Sequence, residues 1–444
     1  MKAELDLVCN KPQQRTPDAN EVFTYIDIGS VDRDSKTIKT PSEILGSDAP
    51  SRARKIVNKN DIIVSMTRPN LNAVALIPES LNEQIASTGF DVLKPILVES
   101  KWIFAIVKSK AFIDEVSGET IGALYPACKA SDIRGFKAPI PPLAEQKRIV
   151  EKLDQVLAQV DTIKARLDGI PAILKRFRQS VLAAAVSGKL TEEWRRENSL
   201  SMSSWLFDCA KNVCEKVQSG STPRNSPFDQ NGTIPFLKVY NIVNQEINFD
   251  YKPQFVTQDV HGKALLRSVA LPNDVLMNIV GPPLGKVAIL TSQYPEWNIN
   301  QAITLFRVNE NNFSYKFLYY ILCEGELVRK VMPDTKGSVG QVNISLSQCR
   351  DAIMPVPPIE EQTEIVRLVD QYFAFADTIE KQVQKAQQRV DKLTQSILAK
   401  AFRGELVPQN PDDEPADELL KRIATARKEA EALAKAAKKV GKKK

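Results

Sequence analysis

Few residues of this chain are spaced for catalysis. Histidine, the usual proton shuttle near neutral pH, occurs once, as His261, so no histidine-based dyad or triad can be duplicated, and a structural role is expected for it. Asp132 with Glu145-Gln146-Lys147 supplies the residue types of a metal-dependent nuclease, but the later Glu361-Gln362-Thr363 repeats the pattern without its lysine. Both glutamates read better as acidic residues in a first helical turn, favoured there by the helix dipole. Gly281-Pro282-Pro283-Leu284 has the two prolines of an amino-group methylation loop but neither its carboxamide nor its aromatic residue, and it reads as a turn. No GxxxxGK[ST] or GxGxxG loop is present to cradle a phosphate. The six cysteines form no CxxC pair, so neither a zinc site nor a disulfide framework is indicated, and a reducing cytoplasm is the natural setting. What remains points to binding.

The elements that would position binding residues are set by a duplication. Pro139–Leu190 recurs without a gap as Pro355–Leu406, with roughly 20 of about 52 positions identical at an offset of about 216. The first copy opens PIPPLAEQKRIVEKLDQVLAQVDTI and the second PVPPIEEQTEIVRLVDQYFAFADTI. Around them the chain divides into a mixed, turn-rich block (1–138), a helical block (139–190), a polar connector (191–205), a second mixed block (206–354), a second helical block (355–406) and a basic, flexible tail (407–444), whose Lys428–Lys444 end would form at most a frayed helix. In the mixed blocks, Asp61–Ser65, Val74–Ile77, Asp274–Met277 and Val287–Leu290 read as strands. Fainter matches, such as Asn60-Asp61-Ile62-Ile63 with Asn273-Asp274-Val275-Leu276, suggest that the two blocks share one fold.

The helical copies carry a heptad seam: Ile149, Leu153, Val156, Val160, Ile163, Leu167, Ile170, Leu174, Phe177 and Val181 in the first, and Ile365, Val369, Tyr372, Ala376, Ile379, Val383, Ala386, Val390, Leu393 and Ile397 in the second. Gly169 and Pro171 should kink or break the first helix, which would span about 50 Å from 149 to 181. A two-fold relation between the halves makes the pairing antiparallel. The expected fold class is α+β: two pseudo-symmetric mixed α/β domains separated by two long antiparallel coiled-coil helices. No apolar run is long enough to cross a bilayer, and a net charge of +6 permits nucleic-acid binding without requiring it.

The Pro-Pro-x-x-Glu-Gln openings, Asp161-Thr162-Ile163 with Asp377-Thr378-Ile379, and the endings Gly188-Lys189-Leu190 and Gly404-Glu405-Leu406 resemble type I restriction-modification specificity subunits. LKRFRQSVLAAAVSGKLTEEWR and LTQSILAKAFRGEL look most like the EcoKI-type branch, and the similarity spans nearly the whole chain. The resemblance implies that the mixed blocks are target recognition domains, each reading half of a split, asymmetric site in double-stranded DNA. The helices would space the readers and bind two modification subunits, with restriction subunits joining through these. It also implies a chain with no catalytic centre or cofactor of its own, with S-adenosylmethionine, ATP and Mg2+ used by the partners. A tryptophan usually opens each reader in this family. Trp205 fits, whereas the first block starts at Met1 without one; either the C-terminal segment completes that edge or the first reader is slightly trimmed.

Within that resemblance, base reading favours Arg or Lys on guanine and Asn or Gln on adenine. The candidates are Arg52, Arg54, Lys55, Arg68 and Asn70, in loops around the Asp61–Ser65 strand, and Arg224, Lys238, Tyr240, Asn241, Lys286, Asn298, Asn300 and Lys336 in the second block. Ser219–Pro223 and Lys336–Gly340 read as flexible loops suited to close approach. Asp154, Asp161, Gln179, Ser180, Asp370, Asp377, Gln395 and Ser396 are identical between the copies and lie off the seam, so they are the candidates for binding two copies of one partner. A reading from a different class is a coiled-coil protein-interaction scaffold without DNA specificity.

Overall fold

The computed structural model describes residues 1–118, 127–222, 228–332 and 343–441, with side chains through residue 429. The chain forms two compact units, Met1–Asp168 with Lys385–Lys444, and Gly169–Gln384. Each unit holds one mixed block, the first part of one long helix and the last part of the other.

The mixed blocks have the same strand order. In the first, one sheet runs Ser42–Leu45, Val22–Ile26, Gln84–Ser87, Ala53–Val57, and a second runs Cys9–Asn10, Phe90–Pro95, Ile62–Ser65, Val74–Leu76. In the second block the corresponding orders are Phe255–Val256, Ile234–Leu237, Trp297–Ile299, Val269–Ala270, and Lys216–Ser219, Ile303–Arg307, Val275–Asn278, Val287–Ile289. Even the parallel pairing recurs, Val22–Ile26 with Gln84–Ser87 and Ile234–Leu237 with Trp297–Ile299. The expected strands are present, and within each block they pair antiparallel with each other.

The faint Asn-Asp repeat has a local cause. Asn60 and Asn273 both adopt left-handed backbone, φ 67° and 71°, a conformation that asparagine tolerates better than most residues. The aspartate that follows closes the turn: Asn58 N–H donates to Asp61 Oδ2 at 2.7 Å, and Leu271 N–H to Asp274 Oδ2 at 2.8 Å. A cation from a neighbouring strand then pairs with each buried carboxylate, Lys94 at 2.9 Å and Arg307 at 2.7 Å.

The long helices are Leu143–Val186 and Ile359–Phe402. The first runs through Gly169 and Pro171 as one element, so the expected break is absent. Each helix ends before a glycine in left-handed backbone, Gly188 at φ 75° and Gly404 at φ 73°, which gives the duplicated Gly-x-Leu endings a physical reason. The helices run antiparallel within each unit. In one, Lys164 pairs with Asp391 at 3.2 Å and Gln387 donates to Asp168 at 2.7 Å. In the other, Arg178 bridges Asp377 and Glu380 at 2.7 and 2.9 Å, and Phe177 meets Tyr372 edge to face. The seam is not a closed two-helix core. Ile163, Tyr372 and Leu393 remain exposed, whereas Ile149, Leu153, Val160 and Ile397 join the apolar core of the first block around Trp102, and Val181, Ile365 and Val369 that of the second around Phe317.

Two segments differ from their expected character. The connector 191–205 is not a loose link: Glu192–Glu197 is helical, and Arg195 and Trp205 are buried. The tail is not free either. Ala416–Gly441 is a helix whose Leu419 and Ile423 enter the core of the first block, while Asp413 pairs with Arg148 at 2.6 Å and Arg427 contacts Asp6. The C-terminal segment thus covers the edge that lacked a tryptophan. Leu419→Ala should lower unfolding stability by about 2–4 kcal/mol, as for other buried leucines; calorimetry of the variant checks it.

Candidate nucleic-acid interface

The side chains at the junction of helix and mixed block decide how much of each surface is free to bind anything. Gln146 and Gln362, from the two Pro-Pro-x-x-Glu-Gln openings, are both fully buried. Gln146 Nε2 donates to Pro141 O at 2.8 Å, and its Oε1 accepts Glu99 N–H at 2.9 Å, ahead of the helix Ser100–Val107. Gln362 repeats this with Pro357 O at 2.9 Å and Ser314 N–H at 2.8 Å, ahead of Tyr315–Glu324. Each glutamine fixes its own proline turn and supplies an acceptor to the start of the block's main helix.

The adjacent Glu361 is also fully buried and accepts from Thr191, Arg195 and the Trp205 indole, the last at 2.9 Å. Its counterpart Glu145 is buried with Arg148 and Asp413 nearby, and desolvation raises its carboxyl above the usual range. The glutamates therefore do more than answer the helix dipole. Asp132 is engaged locally as well, accepting Lys129 N–H at 2.8 Å. His261 is buried with Nδ1 2.8 Å from Asn298 Oδ1 and Nε2 3.1 Å from Glu296. Burial pushes the Cys9, Cys214 and Cys323 thiols up to about 12, far from the range of a nucleophilic thiolate.

Several off-seam residues hold the blocks to the helices. Asp154 pairs with Lys101 at 2.6 Å, and Asp370 accepts from Tyr320 and pairs with Lys316 at 3.3 Å. Gln395 Oε1 accepts Lys110 N–H at 3.0 Å, and Gln179 Nε2 donates to Glu324 O at 2.8 Å. Asp377 is engaged by Arg178, while Asp161, Ser180 and Ser396 lie exposed on the helices. The identity of Asp154/Asp370 and Gln179/Gln395 thus has an internal cause: each residue docks its helix on a block, the aspartates through a lysine in both units and the glutamines through a backbone N–H in one unit and a backbone carbonyl in the other.

The recognition candidates also separate. Lys55 is not in a loop: it lies in Ala53–Val57, and its buried ammonium donates to Phe90 O. Arg54, in the same strand, is half-buried and bonds Ala53 O at 2.7 Å. Asn241 is buried and scaffolds a turn through Lys238 N–H, Asn248 O and Tyr251 O. Asn298 is fully buried, bonded to His261, Leu265 O and Ser268. Lys55, Asn241 and Asn298 are internal supports, not surface readers. Arg224 and Lys336, with the Lys336–Gly340 loop, lie outside the described residues.

The remainder gather into two groups. In the second block, Lys238 and Tyr240 flank one turn, Lys286 Nζ reaches Ile242 O at 3.1 Å, and Asn300 N–H bonds Leu237 O at 3.0 Å. Lys238 Nζ sits 4.4 Å from the Phe228 ring centroid, and Tyr240 packs edge to face on Tyr251. Asn300 Oδ1 is enclosed without a hydrogen-bond partner among the described residues. In the first block, Arg52, Arg68 and Asn70 are exposed.

The description "Type I restriction modification DNA specificity domain" matches residues 4–172 and 202–388. The chain belongs to this family. The EcoKI specificity subunit of Escherichia coli K12 is 34% identical over 84% of this chain and 82% of its own. The StySPI specificity subunit of Salmonella potsdam is 37% identical over 80% and 78%, and the EcoBI specificity subunit of Escherichia coli 35% over 71% and 70%. Among solved structures, the HsdS subunit from Thermoanaerobacter tengcongensis superposes with a TM-score of 0.62 at 26% identity, covering 91% of this chain and 97% of its own. A chain from work on complex assembly and conformational transition of the type I R-M system reaches 0.73 at 26% identity, covering 91% and 98%. The family match favours DNA specificity over a scaffold without it. Among the described residues, no helix of this specificity subunit is long and apolar enough to cross a membrane.

Asn298→Ala leaves the buried hydrogen-bonding groups of His261, Leu265 and Ser268 without their partner. It should lower the stability of the specificity subunit by about 1–3 kcal/mol and leave its DNA target unchanged, checked by thermal melting alongside mapping of the methylated sequence.

Proposed function

We propose that this specificity subunit reads a split, asymmetric target in double-stranded DNA with its two mixed blocks, and that its helices carry two modification subunits. The carrying observation is the duplication, in which the same strand order and the same glutamine and aspartate ties of helix to block occur twice while the recognition candidates differ. Restriction subunits join through the modification subunits. S-adenosylmethionine, ATP and Mg2+ act in those partners, and the cytoplasm is the site of action. The chain itself contributes specificity and assembly, a reading supported by the burial that pushes the Cys9, Cys214 and Cys323 thiols up and by the internal hydrogen bonds that occupy His261, Asp132 and Glu361.

Asp161, Ser180, Ser396 and the exposed seam residues supply surface for the modification subunits. The recognition surface draws on Arg52, Arg68 and Asn70 in the first block and on Lys238, Tyr240, Lys286 and Asn300 in the second, where positive charge also gathers phosphate contacts.

Exchanging residues 206–354 for another reader should replace one half of the methylated motif and keep the other. Long-read mapping of N6-methyladenine in cells co-expressing the modification subunit reads the result, and loss of both halves would overturn independent reading. Native mass spectrometry should find two modification subunits per copy of this chain, and the chain alone should transfer no methyl group. Inserting one helical turn beside Gly169–Pro171, with a matching turn in the facing helix, should change the spacer between the half-sites.

A further inference from the structure

The turn between the paired strands Ile62–Ser65 and Val74–Leu76 is the place where the two blocks share a frame and differ in what they display. Its ends are pinned. Ser65, buried, donates to Thr67 O at 2.8 Å; Met66 N–H bonds Gly89 O at 2.9 Å; and Cys128 N–H bonds Met66 O at 2.9 Å. Asn72, also buried, donates from Nδ2 to Val107 O at 2.8 Å, and Lys36 Nζ bonds Asn72 O at 2.7 Å. Pro69 is buried beneath the crown of the turn, while Arg68 and Asn70 on either side of it are exposed. Arg68 and Asn72 hold left-handed backbone, φ 50° and 47°, where an arginine persists only because its surroundings fix it. Arg52 lies beside the same frame: its carbonyl accepts Thr88 N–H at 2.8 Å, one residue from the Gly89 that holds Met66.

The second block has a turn of the same length in the same place, between Val275–Asn278 and Val287–Ile289. Buried Asn278 pins it through Val280 O at 3.0 Å, Pro283 O at 2.7 Å and Lys286 N–H at 2.6 Å, and Gly285 takes the left-handed position of Asn72 at φ 73°. Its exposed crown residues are Pro282 and Pro283, which have no side-chain donor or acceptor. The frame is common to both; the chemistry at its crown is not.

We propose that the 67–72 turn is the base-reading element of the first block, with Arg68 addressing a guanine through its two-pronged donor edge and Asn70 addressing an adjacent adenine in the major groove. This rests on the DNA-reading function proposed above. An anchored backbone suits such a role, because a turn already ordered before contact loses less conformational entropy when its side chains meet a base edge. The proline side chains of the counterpart crown in the second block offer a base edge only apolar contact, such as that with a thymine methyl group.

The test uses the chain assembled with its modification subunit. The wild-type methylated motif is mapped first, and the exchange of residues 206–354 identifies which half belongs to the first block. Duplexes carrying that motif, with each base pair of that half replaced in turn, are then methylated at low salt by the wild type, Arg68→Ala and Asn70→Ala. Arg68→Ala should reduce the preference for one G·C pair by about 5- to 150-fold, Asn70→Ala should do so for one A·T pair, and the other half should keep its stringency. Unchanged preferences in both variants would overturn the proposal. A uniform fall in rate with every preference retained would also overturn it, by identifying phosphate contacts. If Arg68→Ala does not assemble, Asn70→Ala and Arg68→Lys decide: lysine keeps the charge without the fork and should still relax the G·C pair. Absence of any motif with the wild-type complex would count against the DNA-reading function itself.

Discussion

A buried glutamine at the start of each long helix is the constraint on which the rest of the structure depends. Gln146 and Gln362 each close a proline turn with one end of the amide and accept from the start of a neighbouring helix with the other. A buried amide with both ends occupied fixes direction as well as contact, because leaving either end open costs a desolvated group. The carboxylates Asp154 and Asp370 repeat the tie two turns further along the same helices, and Gln395 and Gln179 repeat it from the opposite helix. Block and helices are thereby fixed to each other at corresponding places in both units.

This arrangement explains why the helical repeat is strong in sequence and the block repeat weak. The helix residues answer to the seam, to the block and to solvent, and few substitutions satisfy all three. The block strands need only alternate apolar and polar residues and keep their turns, which many sequences do. Where a block position has a specific task, as at the left-handed Asn60 and Asn273 or the carboxylates of Asp61 and Asp274, identity survives.

The two units finish their edges differently. In one, the segment after Val186 folds back so that Thr191, Arg195 and Trp205 surround Glu361. In the other, the segment after Phe402 places Asp413 on Arg148 beside Glu145 and lays the C-terminal helix on the core through Leu419 and Ile423. A charge-assisted, indole-capped network in one place is matched by an ion pair and apolar burial in the other. Both bury the glutamate of the corresponding helical opening.

The sequence by itself determined the duplication, the two-block, two-helix plan, the antiparallel sense of the helices, the paired strands and the family, because each is written in spacing, periodicity or identity within the chain. Only the tertiary structure decided which polar residues are surface. Asn241, Asn298 and Lys55 have the side chains of base readers, yet each lies in the interior with its hydrogen bonds used by the fold. An asparagine that stabilises a turn and one that reads adenine are the same letter, and burial alone tells them apart. The same holds for Asp154, Asp370, Gln179 and Gln395, whose identity between the copies comes from bonds to residues remote in sequence. It holds too for the tail, where a basic, alanine-rich composition masks a pair of apolar residues at helical spacing that pack only because the first block offers a core to receive them.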